Sequence, residues 1–170
     1  MLEKLVHVGA PNFLPAARSL PGGLGTETSQ GVQKNLVNGS HKFLPFVPNG
    51  INSCAAEGQD VVSGHFTGCV MAVYQHNGVR KICHVSSGAF GDCSQNWDAI
   101  KQASVNVFEF KPSDFVGEGE QFETIYGLIT ADLQMYTIVT QSYAAQTPDG
   151  KAGYRTDSKF VKIAKAHPLR

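Results

Sequence analysis

Residues 70–85 read Val70-Met71-Ala72-Val73-Tyr74-Gln75-His76-Asn77-Gly78-Val79-Arg80-Lys81-Ile82-Cys83-His84-Val85. Asn-Gly between two β-prone runs signals a hairpin closed by a type I′ turn, whose two central residues must both take positive φ. With Asn77 and Gly78 at the centre, His76 pairs with Val79 and the numbers of every opposed pair sum to 155. Met71 then faces His84, and Val73 faces Ile82. Side chains alternate between faces, so Cys69, Met71, Val73 and Gln75 share one face with Arg80, Ile82, His84 and Ser86, while Cys83 points away. Cys69 and His84 become diagonal neighbours about 7 Å apart at Cα, a gap that a Cys and a His side chain can close. A three- or five-residue loop reverses the parity and brings Cys83 round in place of His84, so the register decides the chemistry.

A thiol beside an imidazole is what nucleophilic cysteine catalysis requires: the sulfur attacks, the imidazole takes its proton and returns it to the leaving group, and a third group orients the ring. The preceding stretch, Ser63-Gly64-His65-Phe66-Thr67-Gly68-Cys69, puts glycine immediately ahead of the thiol. There the chain can bend tightly and leave the backbone N–H groups of Gly68 and Cys69 free for an oxyanion hole.

Outward from the hairpin, Asp92 and Ser94 offer capping oxygens before a helix over Gln95–Ala103, with Trp97 directed onto the sheet. Ser104–Phe110 carries apolar residues on both faces and reads as a strand well inside its sheet. Phe122–Ile129, Asp132–Thr140 and Lys159–Ala164 are further β-prone runs, the last two separated by the turn Pro148-Asp149-Gly150. Phe43–Val47 is a short apolar run that Pro45 confines to an edge strand or a bulge, followed by the turn Pro48-Asn49-Gly50. Residues 8–40 are rich in Gly, Pro, Ser, Thr and Asn, so 1–40 reads as a loosely ordered arm anchored by Leu2–Val8 on a single domain over 41–170. Strands outnumber helices without strand-helix alternation, which predicts an α+β fold around an antiparallel or mixed sheet.

The chain has 170 residues, 42% of them hydrophobic, with 14 basic against 14 acidic side chains. A domain of this size builds a sizeable core without covalent staples. Zero formal net charge, with no basic run longer than Arg80-Lys81, argues against a nucleic-acid or anionic-membrane partner. No stretch reaches the roughly 18 apolar residues of a membrane-spanning helix, and Met1–Ala17 lacks the pattern of a cleaved secretory signal. The four cysteines, Cys54, Cys69, Cys83 and Cys93, read first as thiols.

The segment Ser63–Gly88 resembles the cytotoxic necrotizing factor-like glutamine deamidases, which include the Burkholderia lethal factor toxin and, more distantly, the chemoreceptor deamidase CheD. Phe66-Thr67-Gly68-Cys69 is similar to the family's Leu-Ser-Gly-Cys motif, and His84 follows the thiol at fifteen residues. Ser63 stands where some members carry a threonine whose hydroxyl helps orient the histidine. The resemblance implies a β-sandwich core with outer helices, Cys69 as nucleophile, His84 as general base and acid, and Ser63 in the orienting role. It also implies deamidation of a protein glutamine to glutamate with release of ammonia and no cofactor. A monomeric bacterial toxin or effector follows from it, secreted or injected by a signal-peptide-independent route and acting in the cytoplasm.

Rival readings follow from the same residues. The dyad also serves a transglutaminase or a thiol protease, although a papain-like protease expects its histidine far downstream, where only His167 stands. A zinc site from Cys69, Cys83, His84 and Cys93 uses acceptable ligand types, but Cys83 and His84 face opposite ways and no Cys-x₂₋₄-Cys knuckle is present. A non-enzymatic β-rich binding module makes Cys69 a core filler. Alkylation separates them: a thiol of depressed pKa labels first at neutral pH, a filler no faster than its fellows.

Overall fold

The structure, a computed structural model, describes residues 2–16, 20–34, 41–88, 93–147 and 154–168. Its strands in chain order are β1 (Glu27–Thr28), β2 (Gln33–Lys34), β3 (His41–Pro45), β4 (Ile51–Ala55), β5 (Asp60–Gly64), β6 (Val70–His76), β7 (Val79–Val85), β8 (Val105–Phe110), β9 (Thr124–Ile129), β10 (Met135–Gln146) and β11 (Tyr154–Lys165), with helix α1 (Ser94–Gln102) between β7 and β8. They form a five-stranded sheet of order β1-β4-β7-β6-β8 and a six-stranded sheet of order β11-β10-β9-β5-β3-β2. Each sheet is mixed: β1 runs parallel to β4 and β3 parallel to β5, and the remaining pairs are antiparallel.

Three apolar layers explain the stacking. Between the sheets, Leu44, Val61, Ile125, Ile129 and Met135 of one meet Cys54, Met71, Val73, Ile82 and Phe110 of the other. The outer face of the six-stranded sheet is covered by Leu2, Val6 and Leu14 of the amino-terminal segment. The outer face of the five-stranded sheet carries α1, whose Trp97 packs with Tyr74, Cys83 and Val85. The fold is therefore an α+β sandwich of two mixed sheets, in line with the α+β class read from the sequence pattern, with one α-helix, α1, among the described residues where a few were expected.

Several local expectations are corrected. Ser104–Phe110 forms an edge strand, not an interior one: β8 pairs only with β6, and Val105 and Phe108 stay exposed. Only Phe110 enters the layer between the sheets, Val107 is taken up by the Trp97 cluster, and Asn106 at positive φ interrupts the ladder. Ser94 does not cap α1 but begins it; Cys93 holds the cap position with no side-chain cap bond, and Asp92 lies outside the described residues. The turn at 148–150 lies outside them as well.

β3 is not an outermost strand, yet β2 reaches only Lys42 and Phe43, so Pro45 sits where no partner asks for its missing N–H. The amino-terminal segment is more regular than its composition suggests, since it lends β1 to one sheet and β2 to the other. β4 and β5 escape period-two reading because polar Asn52, Ser53, Asp60 and Ser63 are buried along with their apolar neighbours.

Candidate active site

The hairpin has the two-residue turn. Asn77 and Gly78 take φ of +48° and +77°, and the ladder runs His76 to Val79, Val73 to Ile82, Met71 to His84 and Val70 to Val85. Cys69, one residue before β6, lies in the layer between the sheets with Met71, Val73, Ile82 and Phe66, while Cys83 lies on the opposite face with Trp97. The parity that sets His84, and not Cys83, on the thiol's face is thus the one present.

His84 is held from both sides and from behind. Its ring stacks on Phe66 at 4.0 Å between centroids and 12° between planes, and Phe46 tilts against it at 5.0 Å. Behind it, Ser63 of β5 donates its hydroxyl proton to the Leu44 carbonyl at 2.6 Å, and His84 Nδ1 lies 2.8 Å from the same oxygen. A serine hydroxyl has one proton to give, so with that proton on Leu44 the Nδ1–H must be the donor to Ser63. The network therefore assigns the tautomer: Nδ1 carries the proton and Nε2 keeps its lone pair. Nε2 is buried and has no hydrogen-bond partner among the described residues. Burial, with a smaller contribution from nearby His65, pushes the His84 pKa down to about 3. The imidazole is therefore neutral at physiological pH.

His65, immediately after β5, accepts the Ile125 N–H at Nδ1 over 2.9 Å and leans against Phe122, and burial lowers its pKa as well. It belongs to the scaffold that joins β5 to β9.

Cys69 is 2% exposed and His84 1% exposed. Burial pushes the Cys69 pKa up, against two hydrogen bonds from the backbone and hydroxyl of Ser87 that act the other way. The depressed thiol expected of an ion-paired dyad is not found here. Thiol and imidazole rest as a neutral pair, and the sulfur's hydrogen-bond partner is Ser87, with Nε2 left unengaged. Gly68 turns the chain at φ +137°, and its carbonyl accepts the Ser87 hydroxyl at 2.7 Å. Thr67 is exposed and Gly68 and Ser87 are half-buried, so the thiol lies one residue beneath the surface at this corner.

Of the residues singled out from sequence, Ser63 and His84 are thus joined directly, Cys69 shares their layer without bonding to the ring, and Gly68 bends the chain beside it. Sequence reasoning missed Ser87, Phe46 and Phe66 as builders of the site. Ser86-Ser87-Gly88 directly after the histidine strand was the one available signal for Ser87; Phe66 stood in the motif before the thiol without a sign that it meets the ring, and Phe46 carried no signal. None of the four cysteines is joined in a disulfide, and among the described residues no three His, Cys, Asp or Glu side chains gather as a metal site.

Comparison of the chain with protein-family models, with curated proteins and with solved structures finds no match.

Proposed function

We propose that the chain is a cysteine-dependent protein glutamine deamidase in which Cys69 is the nucleophile, His84 the general base and acid, and Ser63 the group that orients His84. The observation that supports this reading most is the buried Nε2 lone pair of a tautomer-locked histidine on the face that carries a cysteine. Leaving a buried polar atom unpaired costs about 1–3 kcal/mol, and a nitrogen kept to receive the thiol's proton accounts for that cost at His84.

In the proposed reaction the Cys69 Sγ–H proton passes to Nε2 as sulfur bonds to the carboxamide carbon of a glutamine side chain. A weak base and a reluctant thiol exchange no proton at rest, so the transfer accompanies attack, when developing negative charge stabilises the imidazolium. Catalytic hydrogen bonds of this kind are often long before substrate arrives and tighten with it. Backbone N–H groups at Gly68 and Cys69 stabilise the oxyanion. Nε2 then protonates the departing ammonia, and water activated by the same nitrogen hydrolyses the thioester to glutamate. The substrate enters past Thr67, Gly68 and Ser87, the least covered part of the site. The choice of a protein glutamine as substrate, and of a secreted or injected effector as the protein's role, rests on the resemblance at Ser63–Gly88. Entry of an amine in place of water makes the same site a transglutaminase.

Ammonia release from a glutamine-bearing protein tests the reading. Cys69→Ala and His84→Ala are each expected to abolish it with the fold retained, and mass analysis of the treated target should show amide converted to acid. Undiminished ammonia release by Cys69→Ala would overturn the assignment. Exposures of 2% and 1% at Cys69 and His84 favour a second reading, a non-enzymatic β-rich module whose thiol fills the core; a thiol inert to alkylation in the presence of every glutamine-bearing protein that binds the chain decides for it.

A further inference from the structure

Ser87 is the residue at the corner of the site that the proposed chemistry has not yet used. It lies two residues beyond β7 and is half-buried; its hydroxyl donates at 2.7 Å to the carbonyl of Gly68, the residue next to the thiol, and its N–H and hydroxyl act as donors that favour the charged form of Cys69. The hydroxyl has one proton for two acceptors, the carbonyl oxygen and the sulfur. While sulfur is a neutral thiol the carbonyl is the better acceptor. Once sulfur is a thiolate the preference reverses, because hydrogen bonds to an ionised acceptor are about twice as strong as neutral ones.

We propose that Ser87 is a further catalytic residue, whose hydroxyl proton turns from the Gly68 carbonyl to the sulfur as the nucleophile develops charge, so that Ser87 N–H and O–H together hold the thiolate. A rotation about the C–O bond turns the proton from the Gly68 carbonyl toward the neighbouring sulfur. The proton lost by sulfur goes to His84 Nε2, and no other proton changes owner. Of the titratable side chains on β4, β5 and β7, His84 and Cys54 share the sulfur's layer and His65 directly follows β5, whereas Cys83 lies on the opposite face, Lys81 pairs with Glu27, Arg80 is exposed and Asp60 accepts from the Ala131 N–H. His84 is uncharged near neutrality and no charged side chain contributes to the thiol's shift, so the Ser87 donors are what oppose its burial.

The inference rests on Cys69 being the nucleophile, but its test needs no substrate. The intact chain is alkylated with iodoacetamide across pH 6 to 11, and the label at Cys69 is quantified by peptide mass analysis. Ser87→Ala should move the alkylation midpoint up by about one unit, through loss of one hydrogen bond to a charged acceptor. Ser87→Thr, which keeps the hydroxyl, should titrate with the native protein. A Ser87→Ala midpoint level with the native one overturns the role, as does a Thr variant that shifts as far as Ala, or a Cys69 that no pH makes reactive. Failure here leaves ammonia release by the native protein standing, whereas failure of the deamidase reading leaves the alkylation midpoints readable, so the two are told apart.

Discussion

His84 gives its Nδ1 proton to Ser63 at 2.8 Å, and Ser63 passes its own to the Leu44 carbonyl at 2.6 Å. This relay joins the two sheets, since His84 lies on β7 of the five-stranded sheet while Ser63 and Leu44 lie on paired strands β5 and β3 of the other. Ser63→Ala strips the relay of its middle and leaves a buried N–H and a buried C=O facing each other's absence. It should cost about 1–3 kcal/mol in urea unfolding. Loss of the tautomer lock should slow ammonia release by roughly 10- to 100-fold, less than removing His84 itself. A variant as stable and as active as the native protein would remove the orienting role while leaving the dyad.

Acid should destabilise the fold through His84. Its folded pKa of about 3 lies below the ordinary value, so unfolding takes up a proton at any pH between the two. The stability it contributes is complete above about pH 6.5 and is lost as pH falls toward the folded pKa, at about 1.4 kcal/mol per unit. His84→Asn removes the titration and keeps a buried amide. Unfolding free energies at pH 7, 5.5 and 4.5 should therefore fall more steeply for the native chain than for the variant; parallel slopes would show that His84 is not buried uncharged.

Phe66 is what keeps water from that ring. It is fully buried and stacked on it at 4.0 Å. Phe66→Leu loses the flat contact and opens space, at about 1–3 kcal/mol of stability. Water entering that space should raise the His84 midpoint, followed by NMR of its ring protons, from about 3 by at least a unit toward the ordinary range. An unmoved midpoint would assign the exclusion of water to Phe46 and Met71 instead.

The hairpin was legible in sequence because Asn77-Gly78 is a local device: two positive φ values fix the loop length, and loop length fixes which residues share a face. That alone set Cys69 and His84 on one side. Ser63 could be tied to His84 only through the family resemblance, since its position depends on how two sheets stack and no local rule specifies that. The same holds for Phe46 and Phe66, which reach the ring from separate segments. β8 misled for the complementary reason. Phe108, Phe110 and Val107 look like a strand buried on both sides, but α1 shelters one of them, the layer between the sheets takes another, and the third is left to solvent. The exposure of an apolar side chain on an edge strand depends on neighbours that a six-residue window does not contain.

Gly68 separates backbone strain at the site from strain elsewhere. Its φ of +137° is a conformation that side-chain-bearing residues avoid, yet a Cβ built there meets nothing within 4 Å, so Gly68→Ala is opposed by conformation and not by space. Gly58, exposed in the turn between β4 and β5 at φ +68° and equally unobstructed, makes the control. Both alanine variants should lose about 1–3 kcal/mol in urea unfolding. Only Gly68→Ala should also slow ammonia release, because relaxing its φ shifts the backbone N–H groups of Gly68 and Cys69 that the oxyanion needs. Equal effects of the two variants on activity would mean that the glycine before the thiol serves the turn and not the chemistry.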